Sequence, residues 1–162
     1  KEVEMPDATL RSNAALNSKQ VKTSPMGAFV MDATVEVGAA ATANTQYVMM
    51  RLPMAARIHG FSRVYFDDLA STGSPTLDFG LKAVGGNFTT DVDALNDGVD
   101  VATAASNAAL IKDIANYGKM VWEFAGLSAN PGGGFADLII TILDAATNTG
   151  GTVTATVAYT VD

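Results

Sequence analysis

The closing stretch of the chain carries the clearest pattern. Thr152–Val161 sets Val153, Ala155, Val157, Tyr159 and Val161 against Thr152, Thr154, Thr156, Ala158 and Thr160. That period of two is the signature of a strand with one buried and one wet face. Ala136–Leu143 (A-D-L-I-I-T-I-L) precedes it as a second strand, across the turn-rich segment 144–151. Upstream, Gly27–Val37 alternates Phe29, Met31, Ala33, Val35 and Val37 with Val30, Asp32, Thr34 and Glu36. Thr45–Leu52 reads as a strand ended by Pro53, and Ala56–Asp67 as one long strand with Gly60 at a bulge. Thr76–Val84 places Leu77, Phe79 and Leu81 inward, and Lys119–Phe124 reads as a strand holding Trp122.

The segments between these strands are punctuated by turns. Gly38–Asn44, Asp68–Pro75, Gly85–Asn87 and Asn130–Gly134 are rich in Gly, Pro, Asn and Ser. Asn87–Asn107 is acidic and then Ala-rich, and predicts a loop with a short helical turn near Val99–Ser106. Lys112–Tyr117 predicts another helical turn, ended by Gly118. With about seven or eight short strands and short connections, the expected fold is an all-β antiparallel sandwich, with the jelly roll as its common eight-stranded form. The expected inward set is Phe29, Val35, Val64, Phe66, Leu77, Phe79, Leu81, Trp122, Phe124, Ile140, Ile142, Val153, Val157 and Tyr159.

Residues 1–25 break the pattern. They are polar, and Leu10, Leu16 and Val21 are too widely spaced for a core. The predicted organisation is an extended arm over 1–25 and a sandwich body over 26–162, with Asp7–Arg11 able to start a short helix. Such a polar arm needs a surface to lie on, either its own body or a partner. The reading favours a partner, contacted by Met5, Leu10, Arg11, Leu16, Lys19, Val21 and Lys22.

Charge sharpens this division. Lys1, Arg11, Lys19 and Lys22 outweigh Glu2, Glu4 and Asp7 by +1, so with −7 for the whole chain residues 26–162 hold −8. Arm and body are thus suited to different surroundings. An acidic body argues against a nucleic-acid partner, which wants clustered Lys and Arg. Charged residues make up 17% of the chain, against about a quarter in most soluble proteins. Ala, Thr, Ser, Asn and Gly must therefore form much of the surface, which suits a Thr-rich β-protein or one partly covered by neighbours. No stretch approaches the ~18 apolar residues of a membrane span, and no apolar leader segment is visible. With no cysteine, disulfides and thiolate metal sites are excluded.

No set of catalytic residues emerges. His59 is the single histidine, no G-x-S-x-G elbow appears, and Ser62 is too close along the strand to serve as a nucleophile beside it. Asp67–Asp68 and D-V-D-A-L-N-D-G-V-D (91–100) offer carboxylates without the EF-hand spacing, and the expectation is a solvated acidic loop without a metal, with a weak cation site as the alternative. Glu123 and Trp122 would face opposite sides of a strand, which counts against a glycosidase cleft. Gly132–Gly134 lacks the Lys and the strand–loop–helix context of a phosphate loop. The expectation is a protein that is not an enzyme and uses no cofactor.

The stretch A-R-I-H-G-F-S-R-V-Y-F-D-D (56–68), the Gly/Asn-rich turns, and Ala/Thr-rich closing strands behind a polar arm resemble the head decoration, or cement, proteins of tailed phages. The resemblance lies in layout over most of the chain, not in one short motif. It implies a jelly-roll or β-sandwich body with an N-terminal arm, bound to the major capsid protein on the outer surface of the virion head. It also implies a homo-oligomer, a trimer or a dimer, and no catalytic residue. The alternative reading is a carbohydrate- or receptor-binding β-sandwich module on a virion or cell surface, which would need exposed aromatic side chains.

Overall fold

The computed structural model describes residues 9–11 and 27–161. Among the described residues ten strands carry the fold: β1 (Thr9–Arg11), β2 (Ala28–Val37), β3 (Gln46–Pro53), β4 (Ala56–Ile58), β5 (Arg63–Phe66), β6 (Thr76–Ala83), β7 (Asp91–Asp100), β8 (Ser106–Ala109), β9 (Phe135–Leu143) and β10 (Gly151–Val161). A single 3-10 turn (Ile114–Asn116) and a one-turn helix α1 (Val121–Phe124) lie between β8 and β9. One sheet runs β1-β3-β9-β6-β7 and the other β2-β10-β5-β8, with β4 also on β10. Every pairing is antiparallel except β1 with β3, which is parallel.

The order is that of a jelly roll. From β2 to β10, leaving out the short β4, the first strand pairs the last (β2–β10) and the second the next to last (β3–β9). The inner pairs are β5–β8 and β6–β7. This is a folded ribbon rolled across two sheets. Between the sheets lies one core. Tyr47, Met50, Leu52, Leu77, Phe79, Leu81, Leu138, Ile140 and Ile142 from the first sheet meet Ala33, Val35, Val64, Val153, Val157 and Tyr159 from the second. A bulge at Met49, where the register shifts between Val48 and Met50, lets Tyr47 and Met50 both point inward. Of the expected inward set, Phe29 and Trp122 are only partly buried and the rest are buried.

Several local expectations are corrected. Ala56–Asp67 is two strands, not one. Ile58 pairs Tyr159 and Arg63 pairs Thr156, so four residues of one side oppose two of the other. The surplus forms a turn in which Ser62 N–H donates to His59 O (3.0 Å). Within Asn87–Asn107 the acidic residues 91–100 are strand rather than loop, because the ladder to β6 overrides the weak β-propensity of Asp, Asn and Gly, and residues 101–105 are a bend rather than a helical turn. Gly98 (φ 71°) takes up the irregularity in that ladder. Lys119–Phe124 is not a strand: Val121 and Phe124 are buried three apart, and Glu123 Oε2 accepts from Met120 N–H (2.8 Å), closing a helical turn. A short apolar run fits either period, so only packing decides. Thr9–Arg11, read as a possible helix start, is strand.

Candidate functional site

The outer face of the first sheet is a grid set by register. Gln46, Thr141 and Asp78 lie abreast on β3, β9 and β6; Val48, Ile139 and Gly80 form the next row; Arg51, Asp137 and Lys82 the third. Val48 and Ile139 are fully buried on this face, with Val92 packed against them. Arg51 grips Asp137 with two hydrogen bonds, Nε to Oδ1 at 2.7 Å and Nη2 to Oδ2 at 3.2 Å, and the pair holds the guanidinium above its usual pKa. Lys82 Nζ donates to Gln46 Oε1 (3.2 Å).

Gly80 makes the face what it is. A Cβ there would stand 2.3 Å from Asp91 O and from the Val92 carbonyl carbon. The missing side chain lets the start of β7 cross directly over β6. Val92 thereby reaches Ile139, and Asp93 and Asp97 come over Asp78. One carboxylate oxygen from each of Asp78, Asp93 and Asp97 lies within 4.8 Å of the others. Asp78 is 2% exposed and accepts a bond from Gly98 N–H (2.8 Å). Burial, then the charges of Asp97, Asp93 and Asp144, push its carboxyl above the usual range. Asp91 is raised first by its hydrogen bond with Asp93 and then by burial. Asp100, at the far end of the strand, is lowered by the Thr103 hydroxyl and Ala102 N–H. The acidic segment is thus strand rather than loop, with the side chains of Asp91, Asp93, Asp97 and Asp100 exposed.

The second sheet leaves its outer face open. Thr152, Thr154, Thr156 and Thr160 of β10 line it with Val30, Asp32, Thr34 and Glu36 of β2 and Arg63 and Tyr65 of β5. Thr34 and Thr154 share a hydroxyl bond (2.9 Å), and Thr152 Oγ1 donates to Glu36 (2.9 Å). Tyr65, 47% exposed, lines an open depression of about 380 Å³ with Asp67, Ser106, Asn107, Thr152 and Thr154.

The remaining candidates read from the sequence are structural. His59 stacks on Phe61 (centroids 5.5 Å apart, 6° between planes). Ser62 is buried, donating to Ala158 O (3.2 Å) and accepting from Ala158 N–H (3.0 Å), which leaves its hydroxyl committed to the backbone. Glu123 is the helix cap described above, and Trp122 Nε1 donates to Met120 Sδ (3.2 Å). Gly132–Gly134 lines a depression with Pro53, Asn130 and Phe135 ahead of β9. Of the expected arm contacts, Leu10 and Arg11 lie on β1, in register with Tyr47 and Val48 of the chain's own sheet. Met5, Leu16, Lys19, Val21 and Lys22 lie outside the described residues. Sequence reasoning missed Asp78 and Thr141, because each sits at an outward position of an otherwise apolar strand.

No protein-family model matches the chain, and no curated protein matches it. Two chains from solved structures are similar in fold. One is from the capsid of Ralstonia phage GP4, with 17% identity and a TM-score of 0.62, covering 96% of this chain and 99% of that one. The other is from the cyanophage Pam1 capsid asymmetric unit, with 19% identity and a TM-score of 0.57, covering 90% of this chain and 97% of that one.

Proposed function

We propose that the chain is a non-enzymatic virion structural protein that binds the outer surface of a phage head and stabilises it. The observation that carries this is the fold likeness to chains of two phage capsids, which extends over 90% and 96% of this chain and nearly all of each neighbour. The chemistry supports it. Among the described residues the lone His is stacked on Phe61, and the Ser62 hydroxyl is committed to backbone. An acidic body suits the outside of a particle, since like charge repels packaged DNA.

The partner in this reading is the major capsid protein. Phe61 (68% exposed), Ile114 (79%) and Tyr117 (44%) stand out near the β4–β5 turn, with the Tyr117 ring against Gly60. Exposed apolar side chains grouped in this way mark an interaction surface. The arm, residues 1–25, of which Thr9–Arg11 is also held in the chain's own sheet, adds contacts to those of the body, and self-association into a trimer or dimer multiplies them through effective concentration. Particles lacking the protein are expected to assemble but to release DNA at a lower temperature, and added protein to restore them. Equal heat resistance with and without it would overturn the reading. Deleting residues 1–25 is expected to abolish particle binding.

A second reading is favoured by one observation. Tyr65 offers an exposed ring beside Asp67, Asn107 and Thr152, a combination able to stack on and hydrogen-bond a neutral sugar. Glycan binding lost in Tyr65→Ala, with particle binding intact, would establish it.

A further inference from the structure

We propose that Asp78, Asp93, Asp97 and the Thr141 hydroxyl form a Ca²⁺ site that pins β7 onto the outer face of β6 and β9. Two independent observations meet here. The first is the carboxylate cluster itself, one oxygen from each Asp within 4.8 Å of the others, with Asp78 buried. The second is Thr141 Oγ1. It is a buried side-chain polar atom with no hydrogen-bond partner, in a residue only 2% exposed. Buried hydroxyls are normally satisfied, and an orphan asks for a ligand. Thr141 lies directly across the β6–β9 ladder from Asp78. Cross-strand partners project from the same face with Cβ atoms about 5 Å apart. Thr141 therefore stands beside Asp78, on the face that Asp93 and Asp97 overhang.

The donor set selects the ion. Three carboxylates and a hydroxyl are hard oxygen ligands, and among the described residues no His or Cys joins the group. Gathering several protein oxygens on one ion is the habit of Ca²⁺, which takes about six to eight oxygen ligands in flexible geometry, whereas Mg²⁺ keeps several of its waters. The charges acting most on Asp78 are Asp97, Asp93 and Asp144, all negative. Lys112, at the exposed rim, places its Nζ 3.7 Å from Asp97 Oδ2.

Thermal unfolding of the full chain in EDTA, CaCl₂ and MgCl₂ tests this, with calorimetric titration of Ca²⁺ alongside. Ca²⁺ at about a hundredfold excess over its Kd is expected to raise Tm by about 5–10 °C, and Mg²⁺ by much less. Asp78→Asn keeps the shape and should abolish the response. Thr141→Val should weaken Ca²⁺ binding about tenfold or more. Asp100→Asn, an acidic change on the same strand outside the cluster, should leave the response intact. Should Asp78→Asn fail to fold, Asp93→Asn on the exposed side gives the same reading. Equal Tm of the wild-type chain in Ca²⁺ and EDTA would overturn the proposal. So would a response shared equally by Asp78→Asn and Asp100→Asn, which is simple charge screening. Failure here leaves the capsid reading standing, since particle binding is measured separately.

Discussion

The two sheets treat their inner faces alike and their outer faces differently. Both turn a continuous apolar side toward one core. On the outside, β10 shows Thr152, Thr154, Thr156 and Thr160 partly exposed, alternating with the buried Val153, Ala155, Val157 and Tyr159 of the inner face. On β9, Ile139, Thr141 and Asp137 face outward and are buried as well. A strand wet on one side must alternate, whereas a strand covered on both can run apolar without interruption. The covered face is also where polar groups become consequential. A hydroxyl on β10 finds water or another Thr, but Thr141 is cut off from solvent and Asp78 is left among like charges. Desolvation turns ordinary side chains into ones that demand a partner.

Substitutions can break or sharpen this contrast. The largest effect is expected in the shared core. Phe79→Ala should cost about 3–5 kcal/mol in chemical denaturation, because the fully buried ring leaves a cavity. Ile139→Ala tests the covered outer face and should cost about 2–4 kcal/mol; a loss below about 0.5 kcal/mol would show that this face is no second core.

Gly80→Ala comes next, at about 1–3 kcal/mol, because the new methyl meets backbone of β7 rather than a yielding side chain. It should also weaken any ligand response of the Asp78 cluster by lifting Asp93 away.

Asp78→Asn has an effect whose sign depends on pH. Its folded carboxyl sits above the ordinary value of 3.8, so the folded state holds the proton more tightly than the unfolded chain. Wild-type stability is therefore lost as pH rises from near the unfolded value through the raised one, and the penalty is complete at neutral pH. In EDTA the Asn variant should be the more stable at pH 7, with the gap closing near pH 4. Denaturant midpoints at both pH values check this, and a gap that widens on acidification would refute it. The smallest change belongs to the open face: Thr156→Ala should stay within about 0.5 kcal/mol by the same measurement.

Much of this was legible in the residues. Period-two alternation located β2, β6 and β10 to within a residue or two, and the strand count with short connections pointed to a jelly roll. Those signals are local, and burial of one face imposes them directly on the sequence. What failed were segments whose state is decided elsewhere. Residues 119–124 fit two periods, and packing of Val121 and Phe124 selected the helix. The acidic residues 91–100 look like a loop until β6 offers them a ladder.

The cluster at Asp78 lies furthest from sequence reach. Asp78, Asp93, Asp97 and Thr141 come from three strands, brought together by register and by a glycine that lets one strand cross another. Alternation and composition determined which strands exist and which side of each faces the core. Which outward side chains lose their water, and beside which others they do so, was decided only when the ribbon rolled up, because desolvation and close approach of charges are properties of the assembled sheets and not of any one segment.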